Sequence, residues 1–255
     1  MRIDARDMVS PRLYIALDVA SESEALSLAS RLWQVKGQDG LPRCGFKVGF
    51  ELFTAAGPGL IRRLADEGSV FLDLKFHDIP NTVYGAVRAA CRLGAGMLTL
   101  HLAGGEEMCR QALMAREEAW AGLEKRGDGS APEKPRLLGV SVLTSTGGDA
   151  RAIKDLVLDY ARAAKAYGLD GLVCSGHEAG EVKEICGADF LCICPGIRFA
   201  GGEENDQARV CTPLEAMLHG ADFLVMGRPV IQACDPVQAA VAALQDMEKG
   251  LRMRK

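Results

Sequence analysis

The segment Phe71-Leu72-Asp73-Leu74-Lys75-Phe76-His77-Asp78-Ile79-Pro80-Asn81-Thr82 sets three charges into a run that otherwise has the character of a buried strand. Burying charge is costly unless it is paired, so the cluster needs a reason. Asp73 and Lys75 are two residues apart, which on an extended strand points both side chains to one face, with Asp78 just past the strand end. A carboxylate, an ammonium and a second carboxylate so placed form a compact array able to hold fixed charge or move a proton. The bland alternative is an ion-pair network that only orients a turn, with Asp78 or Asn81 helping to cap a helix begun around Pro80.

Such an array works only if a scaffold holds it. Short runs rich in apolar and β-branched residues recur at Leu13–Asp18, Gly45–Gly49, Val70–Lys75, Met97–His101, Leu137–Leu143, Gly171–Ser175, Phe190–Pro195 and Asp222–Gly227. Each is followed by a stretch with helical spacing, near Ser23–Gln34, Leu52–Glu67, Thr82–Leu93, Glu106–Glu124, Arg151–Tyr167, Glu178–Cys186, Pro213–Leu218 and Pro236–Lys249. Eight such units in 255 residues predict a (β/α)₈ TIM barrel, one domain over residues 1–255. A doubly wound open sheet is the runner-up, but the first strand ends in Leu17-Asp18-Val19-Ala20 without the glycine-rich turn usual there. Residues 125–135, charged and rich in Gly and Pro, are expected to be a surface insertion.

A barrel gathers its chemistry at the C-terminal ends of the strands. Asp18 closes the first predicted strand, Lys47 lies in the second, Asp73 and Lys75 close the third, His101 closes the fourth, and Ser141 and Thr144 lie near the end of the fifth. Lys47 stands in an otherwise apolar strand; its alternative is an edge lysine whose ammonium snorkels to water. A second constellation is C-terminal: Pro195-Gly196-Ile197-Arg198, the polar loop Gly201–Gln207, and Met226-Gly227-Arg228-Pro229. Loops after strands seven and eight of barrels often hold phosphate, and glycine-flanked N–H groups with a guanidinium suit a dianion. The Gly201–Gln207 loop is expected to act as a lid.

Composition narrows the partners. A formal net charge of -4 with scattered Lys and Arg gives no basic field for nucleic acid, and no apolar stretch approaches membrane-spanning length. The nine cysteines are odd in number and form no CxxC pair, so neither a disulfide framework nor structural zinc is expected. The expectation is a cytoplasmic protein acting on a small molecule, with no nucleic-acid or membrane partner.

The string Asp73-x-Lys75-x-x-Asp78-Ile79-Pro80-Asn81-Thr82 resembles the signature of the orotidine 5′-monophosphate decarboxylase family in full. Supporting matches are Leu17-Asp18-Val19, Lys47-Val48-Gly49, Leu143-Thr144-Ser145, Pro195-Gly196-Ile197-Arg198, Asp206-Gln207 and Gly227-Arg228. The shorter Asp-x-Lys-x-x-Asp pattern is shared by Mg²⁺-dependent relatives acting on sugar phosphates. Those hold the metal partly through a carboxylate at the end of strand two, where this chain carries Lys47 and the nearest acid is Glu51.

The resemblance implies orotidine 5′-monophosphate as substrate and UMP as product, with neither metal nor organic cofactor. It implies that Asp18 and Lys47 hold the ribose hydroxyls, with Lys47 joining the charged array. Thr144 would bind the pyrimidine, and Gln207, Gly227 and Arg228 the phosphate, with Arg198 in a loop beginning at Pro195. Asp78 and Thr82 would reach the neighbouring subunit's site in a homodimer with shared active sites. Lys75, flanked by carboxylates that favour the ammonium, would protonate C6. Two other readings stand beside this one: a Schiff-base aldolase using Lys75, which would need a neutral amine, and a nucleotide-binding barrel without chemistry. The departures from the family pattern are residues 127–135 and Ser175-Gly176-His177.

Overall fold

Eight parallel strands close on themselves in chain order in the computed structural model, which describes residues 12–37, 40, 42–124, 134–143, 147–201 and 210–254. The strands are β1 (Leu13–Ala16), β2 (Cys44–Val48), β3 (Val70–Phe76), β4 (Met97–His101), β5 (Arg136–Val140), β6 (Gly171–Val173), β7 (Leu191–Cys194) and β8 (Phe223–Met226), and β8 pairs back onto β1. Around them lie α1 (Glu22–Leu32), α2 (Phe50–Ala65), α3 (Pro80–Cys91), α4 (Gly105–Glu124), α5 (Ala150–Tyr167), α6 (Ala179–Cys186), α7 (Pro213–Leu218), α8 (Arg228–Ile231) and α9 (Pro236–Met253). The (β/α)₈ barrel is thus present and the open-sheet alternative is excluded.

Local sequence explains the helix boundaries. Ser21, Asp149 and Asp235 accept backbone N–H bonds at the starts of α1, α5 and α9, and Thr212 and Glu215 form a reciprocal capping box at α7. Gly168, at φ 88, ends α5 in the left-handed conformation that glycine adopts without cost. Two features differ from expectation. The helix predicted over Leu52–Glu67 is interrupted at Gly57, φ 69, just before Pro58, and the four-residue α8 precedes the final helix. The segment proposed as an insertion lies outside the described residues except for Lys134 and Pro135.

The core has two parts. Leu, Val, Ile, Ala and Cys side chains pointing outward from the strands meet the helices, while Tyr14, Ala16, Phe71, Met97, Leu138, Ile193, Phe223 and Val225 fill the barrel interior. Tyr14 packs edge-on against Phe71 and Phe223, with centroids 5.9 and 6.1 Å apart. Its ring lies over Gly45, where an added Cβ would stand 2.5 Å from it, so only glycine lets the tyrosine enter. Among the described residues no helix is long and apolar enough to cross a membrane.

Candidate active site

Strand alternation carries the interior layer upward into a polar opening. Tyr14 and Ala16 face inward on β1, so Asp18, two residues on, faces the same space; Gly45 leads to Lys47 on β2, Phe71 to Asp73 on β3, and Val225 to Gly227 on β8. Ala16, Asp18, Lys47, Phe71, Asp73, Val225 and Gly227 line a cavity of about 450 Å³, together with Lys75, Val140, Val142, Pro195, Gly196, Arg198 and Arg228.

The charged side chains alternate in sign across its floor. Lys47 Nζ lies 3.3 Å from Asp18 Oδ1 and 3.8 Å from Asp73 Oδ2, and Lys75 Nζ lies 2.8 Å from the same Asp73 oxygen. The Lys47 side chain is 12% exposed and Asp73 14%, whereas Asp18 is 55% exposed at the rim. A closed barrel has no edge strand, so Lys47 is a partly buried cation of the array and not an edge lysine. Lys75 Nζ also stands 5.9 Å from the Phe50 ring centroid.

Thr99 fixes this geometry. The β3–β4 register shifts between Leu72↔Leu98 and Phe76↔Leu100, so four steps along β3 match two along β4. Within that bulge Lys75 adopts φ 43, the only positive φ of a non-glycine among the described residues. Thr99 is fully buried on β4; its Oγ1 accepts the Lys75 backbone N–H at 2.8 Å and donates to Asp73 Oδ1 at 2.9 Å. One hydroxyl therefore holds both the strained backbone of the lysine and the carboxylate paired with its ammonium. Such strain persists only where surrounding contacts over-determine it, and it clusters at functional sites.

The structure thus brings together Asp18, Lys47, Asp73, Lys75, Pro195, Arg198, Gly227 and Arg228. Arg198 is buried, and its Nη1 donates to the Ile197 carbonyl at 2.9 Å. Asp78 and Thr82 do not join the cavity lining: both are exposed, and Asp78 Oδ1 accepts the Ile79 N–H at 2.6 Å. Thr144 and Gln207 lie outside the described residues. His101 closes β4 as expected, yet it stacks on His77 with centroids 5.2 Å apart and accepts the Ala103 N–H through Nδ1, away from the cavity. Ser141 is buried and donates to the Val173 carbonyl at 3.0 Å, a structural bond between β5 and β6. Sequence reasoning passed over Thr99; the signal was a hydroxyl two residues on from the inward-facing Met97.

Among the described residues of the lining, four cations, Lys47, Lys75, Arg198 and Arg228, face two carboxylates, Asp18 and Asp73. The balance suits an anionic ligand. It does not suit a divalent metal at the array, since both lysines already stand against the carboxylates that would hold it.

Comparison with known proteins agrees. The model of the "Orotidine 5′-phosphate decarboxylase / HUMPS family" matches residues 11–243. The chain is 46% identical over 247 residues to a protein of Nitratidesulfovibrio vulgaris (strain DP4) named orotidine 5′-phosphate decarboxylase, covering 92% of this chain and 97% of that one. It is 41% identical over 257 residues to a protein of the same name from Moorella thermoacetica, covering 97% and 95%. The crystal structure of orotidine 5′-phosphate decarboxylase from Lactobacillus acidophilus superposes with a TM-score of 0.74 at 34% identity, over 93% of this chain and 99% of that one. The chain is an enzyme of the carboxy-lyase class, and it belongs to the orotidine 5′-phosphate decarboxylase / HUMPS family.

Proposed function

We propose that this enzyme decarboxylates orotidine 5′-monophosphate to UMP and CO₂, a step of pyrimidine synthesis, with charge supplied by its own side chains. The observation that carries the reading is the Lys47–Asp73–Lys75 array at the floor of a cavity whose other wall bears Arg198 and Arg228. The nucleotide's phosphate would meet Arg228 and the backbone around Gly227, its ribose hydroxyls Asp18 and Lys47, and its pyrimidine C6 would come to Lys75.

Loss of CO₂ from C6 leaves an electron pair on a vinylic carbon that no adjacent carbonyl readily delocalises. Preorganised charge can stabilise that pair without moving during the reaction. The C6–carboxylate bond breaks heterolytically, the pair stays on C6 facing the Lys75 ammonium, and the ammonium gives its proton to C6; the amine left behind regains a proton from solvent. Asp73 stands beside the departing carboxylate, so repulsion eases as CO₂ leaves. Remote phosphate binding supplies energy that the chemical step can use. A Schiff-base role for Lys75 finds less support, because its Nζ is engaged by the Asp73 carboxylate at 2.8 Å and is not presented as a free nucleophile.

The site is proposed to be completed by a second copy of the chain in a homodimer. Asp78 and Thr82 are exposed outside their own cavity, beside Ile79 at 67% exposure, and Phe50, next to Lys75, is 59% exposed. An apolar rim of that kind suits burial by a partner that inserts its own Asp78 and Thr82. The direct test follows orotidylate absorbance with purified protein in excess EDTA, with Lys75→Ala alongside. Turnover that survives chelation and vanishes in the variant is expected. Turnover lost to EDTA and restored by Mg²⁺, or retained by Lys75→Ala, refutes the proposal.

A further inference from the structure

His177, singled out above as a departure from the family pattern, stands beside Cys211 and His219 away from the cavity. The three residues each present a ligand atom, and these atoms lie within 4.8 Å of one another. They come from three separate places in the chain: the turn between β6 and α6, the segment returning toward α7, and the C-terminal cap of α7. We propose that His177, Cys211 and His219 form a binding site for a borderline-soft divalent transition metal of the Zn²⁺ class. The site uses none of the residues assigned to decarboxylation, so it stands or falls apart from that reading.

The local chemistry fits such an ion. Imidazole nitrogen and thiolate sulfur are the usual zinc donors, and tetrahedral coordination at about 2.0–2.3 Å sets donors roughly 3.3–3.8 Å apart. Both histidines are exposed, which leaves their rings room to turn toward a shared ion. The rings already approach, with centroids 6.0 Å apart. His177 Nε2 lies 2.8 Å from the Val210 carbonyl, which can only accept. Nε2 therefore donates to that carbonyl, a bond of the kind that orients a metal-binding histidine through the ring nitrogen that does not coordinate.

Cys211 is held in place from below. It is 3% exposed, and its Sγ would be 3.0 Å from a Cβ added at Gly176, the residue just before His177. Burial pushes the thiol up to about 11, so without metal it is a neutral S–H. A bound dication would displace that proton to solvent and take the thiolate. Glu215 Oε2 lies 4.0 Å from Cys211 Sγ and adds negative charge near the ion while keeping its capping bonds to Thr212. A water would complete the coordination.

The location gives the site a consequence. The Cys211 N–H and carbonyl bond to the Gly196 carbonyl and the Arg198 N–H at 3.4 and 3.0 Å, and Gly196 and Arg198 line the catalytic cavity. An ion bridging Cys211 to His177 and His219 would pin the base of that cavity wall to α6 and α7.

The test uses the full chain, stripped of metal and titrated with Co²⁺, whose spectrum reports the ligand set. One Co²⁺ per chain, a thiolate-to-cobalt charge-transfer band, visible bands of a four-coordinate site and displacement by Zn²⁺ are expected. His219→Ala and His177→Ala, both surface changes, should each weaken binding by more than about 100-fold, beyond what loss of an outer-shell partner alone causes. Cys211→Ser should remove the charge-transfer band, and Cys234→Ser, at the exposed cysteine, should change nothing. Absence of the band in the unmodified chain, or a band that survives His219→Ala and Cys211→Ser but disappears with Cys234→Ser, overturns the proposal.

Discussion

Replacing Thr99 with valine tests whether one hydroxyl sets the catalytic geometry. Valine keeps the branched shape, so the change deletes an oxygen and little volume. Two bonds go with it: the one donated to Asp73 Oδ1 at 2.9 Å and the one accepted from Lys75 N at 2.8 Å. The bond to the carboxylate is worth about 1.5–3 kcal/mol, and an orphaned backbone N–H costs about 1–3 kcal/mol. Partial access of water to Lys75 offsets some of this, giving a stability loss of about 2–4 kcal/mol, or roughly 4–16 °C in melting temperature for a chain of this size. The larger effect is on rate. Lys75 stands at φ 43, a conformation that costs about 1–3 kcal/mol and that the lost bond helped to hold. Relaxation toward negative φ swings Nζ away from Asp73, and a displacement of about 1 Å at a reacting group lowers turnover by about 100-fold. UMP affinity, read by calorimetry, should change little, because phosphate and ribose are held elsewhere. Thr99→Ser keeps the oxygen and should stay near wild-type kcat, at the cost of about 1 kcal/mol for the missing methyl. If folded Thr99→Val turns over within about threefold of Thr99→Ser, the hydroxyl does not position the array and the reasoning fails.

Three further outcomes are expected. Arg228→Ala should weaken UMP binding by about 10–100-fold while leaving uridine binding unchanged; equal affinity for UMP in variant and wild type would remove Arg228 from the phosphate site. Asp78→Ala and Lys75→Ala proteins should each be inactive, yet mixing them should restore about a quarter of wild-type activity, since half the dimers are hybrids with one intact site of two; no recovery after confirmed subunit exchange would refute the shared site. Burial, His77 and Lys75 together lower the His101 pKa below its ordinary 6.5, so on acidification the unfolded chain takes the proton first and the stability that the neutral ring contributes is lost below that pH. His101→Gln should flatten this loss in urea midpoints measured from pH 7 downward, and an unchanged slope would assign the acid sensitivity elsewhere.

The alternation of strands and helices was legible because inward and outward positions repeat with periods of two and 3.6, and tertiary structure followed both. Asp18, Lys47, Asp73 and Lys75 could be placed at one opening for the same reason. What escaped was whatever depends on departures from regular geometry. An ideal strand at β3 does not announce a bulge, so neither the φ of Lys75 nor the part played by Thr99 could be read; a threonine in an apolar strand is ordinarily a β-branched filler. His101 shows the converse: a polar strand end faced its neighbour His77 and not the cavity. Gly57-Pro58 carried a legible break signal that the apolar spacing of α2 outweighed. In the proposed dimer the exposure of Asp78 and Thr82 would have its reason in a second chain, which the regularities of one chain do not encode.

Tyr14, Phe71, Met97 and Phe223, all at least 94% buried, plug the barrel immediately beneath the charged array. The plug makes traffic through the site one-way in space: whatever enters from the strand C-termini must leave by the same mouth. In the proposed reaction, carbon dioxide formed at the floor would lie behind the nucleotide, with the pyrimidine between it and bulk solvent. Its escape requires either a gap along the apolar wall of Val140, Val142 and Val173 or prior loosening of the nucleotide. That wall of three valines offers the gas no charge and no strong acceptor to retain it, so the proposed reaction would meet an apolar surface on this side of the cavity.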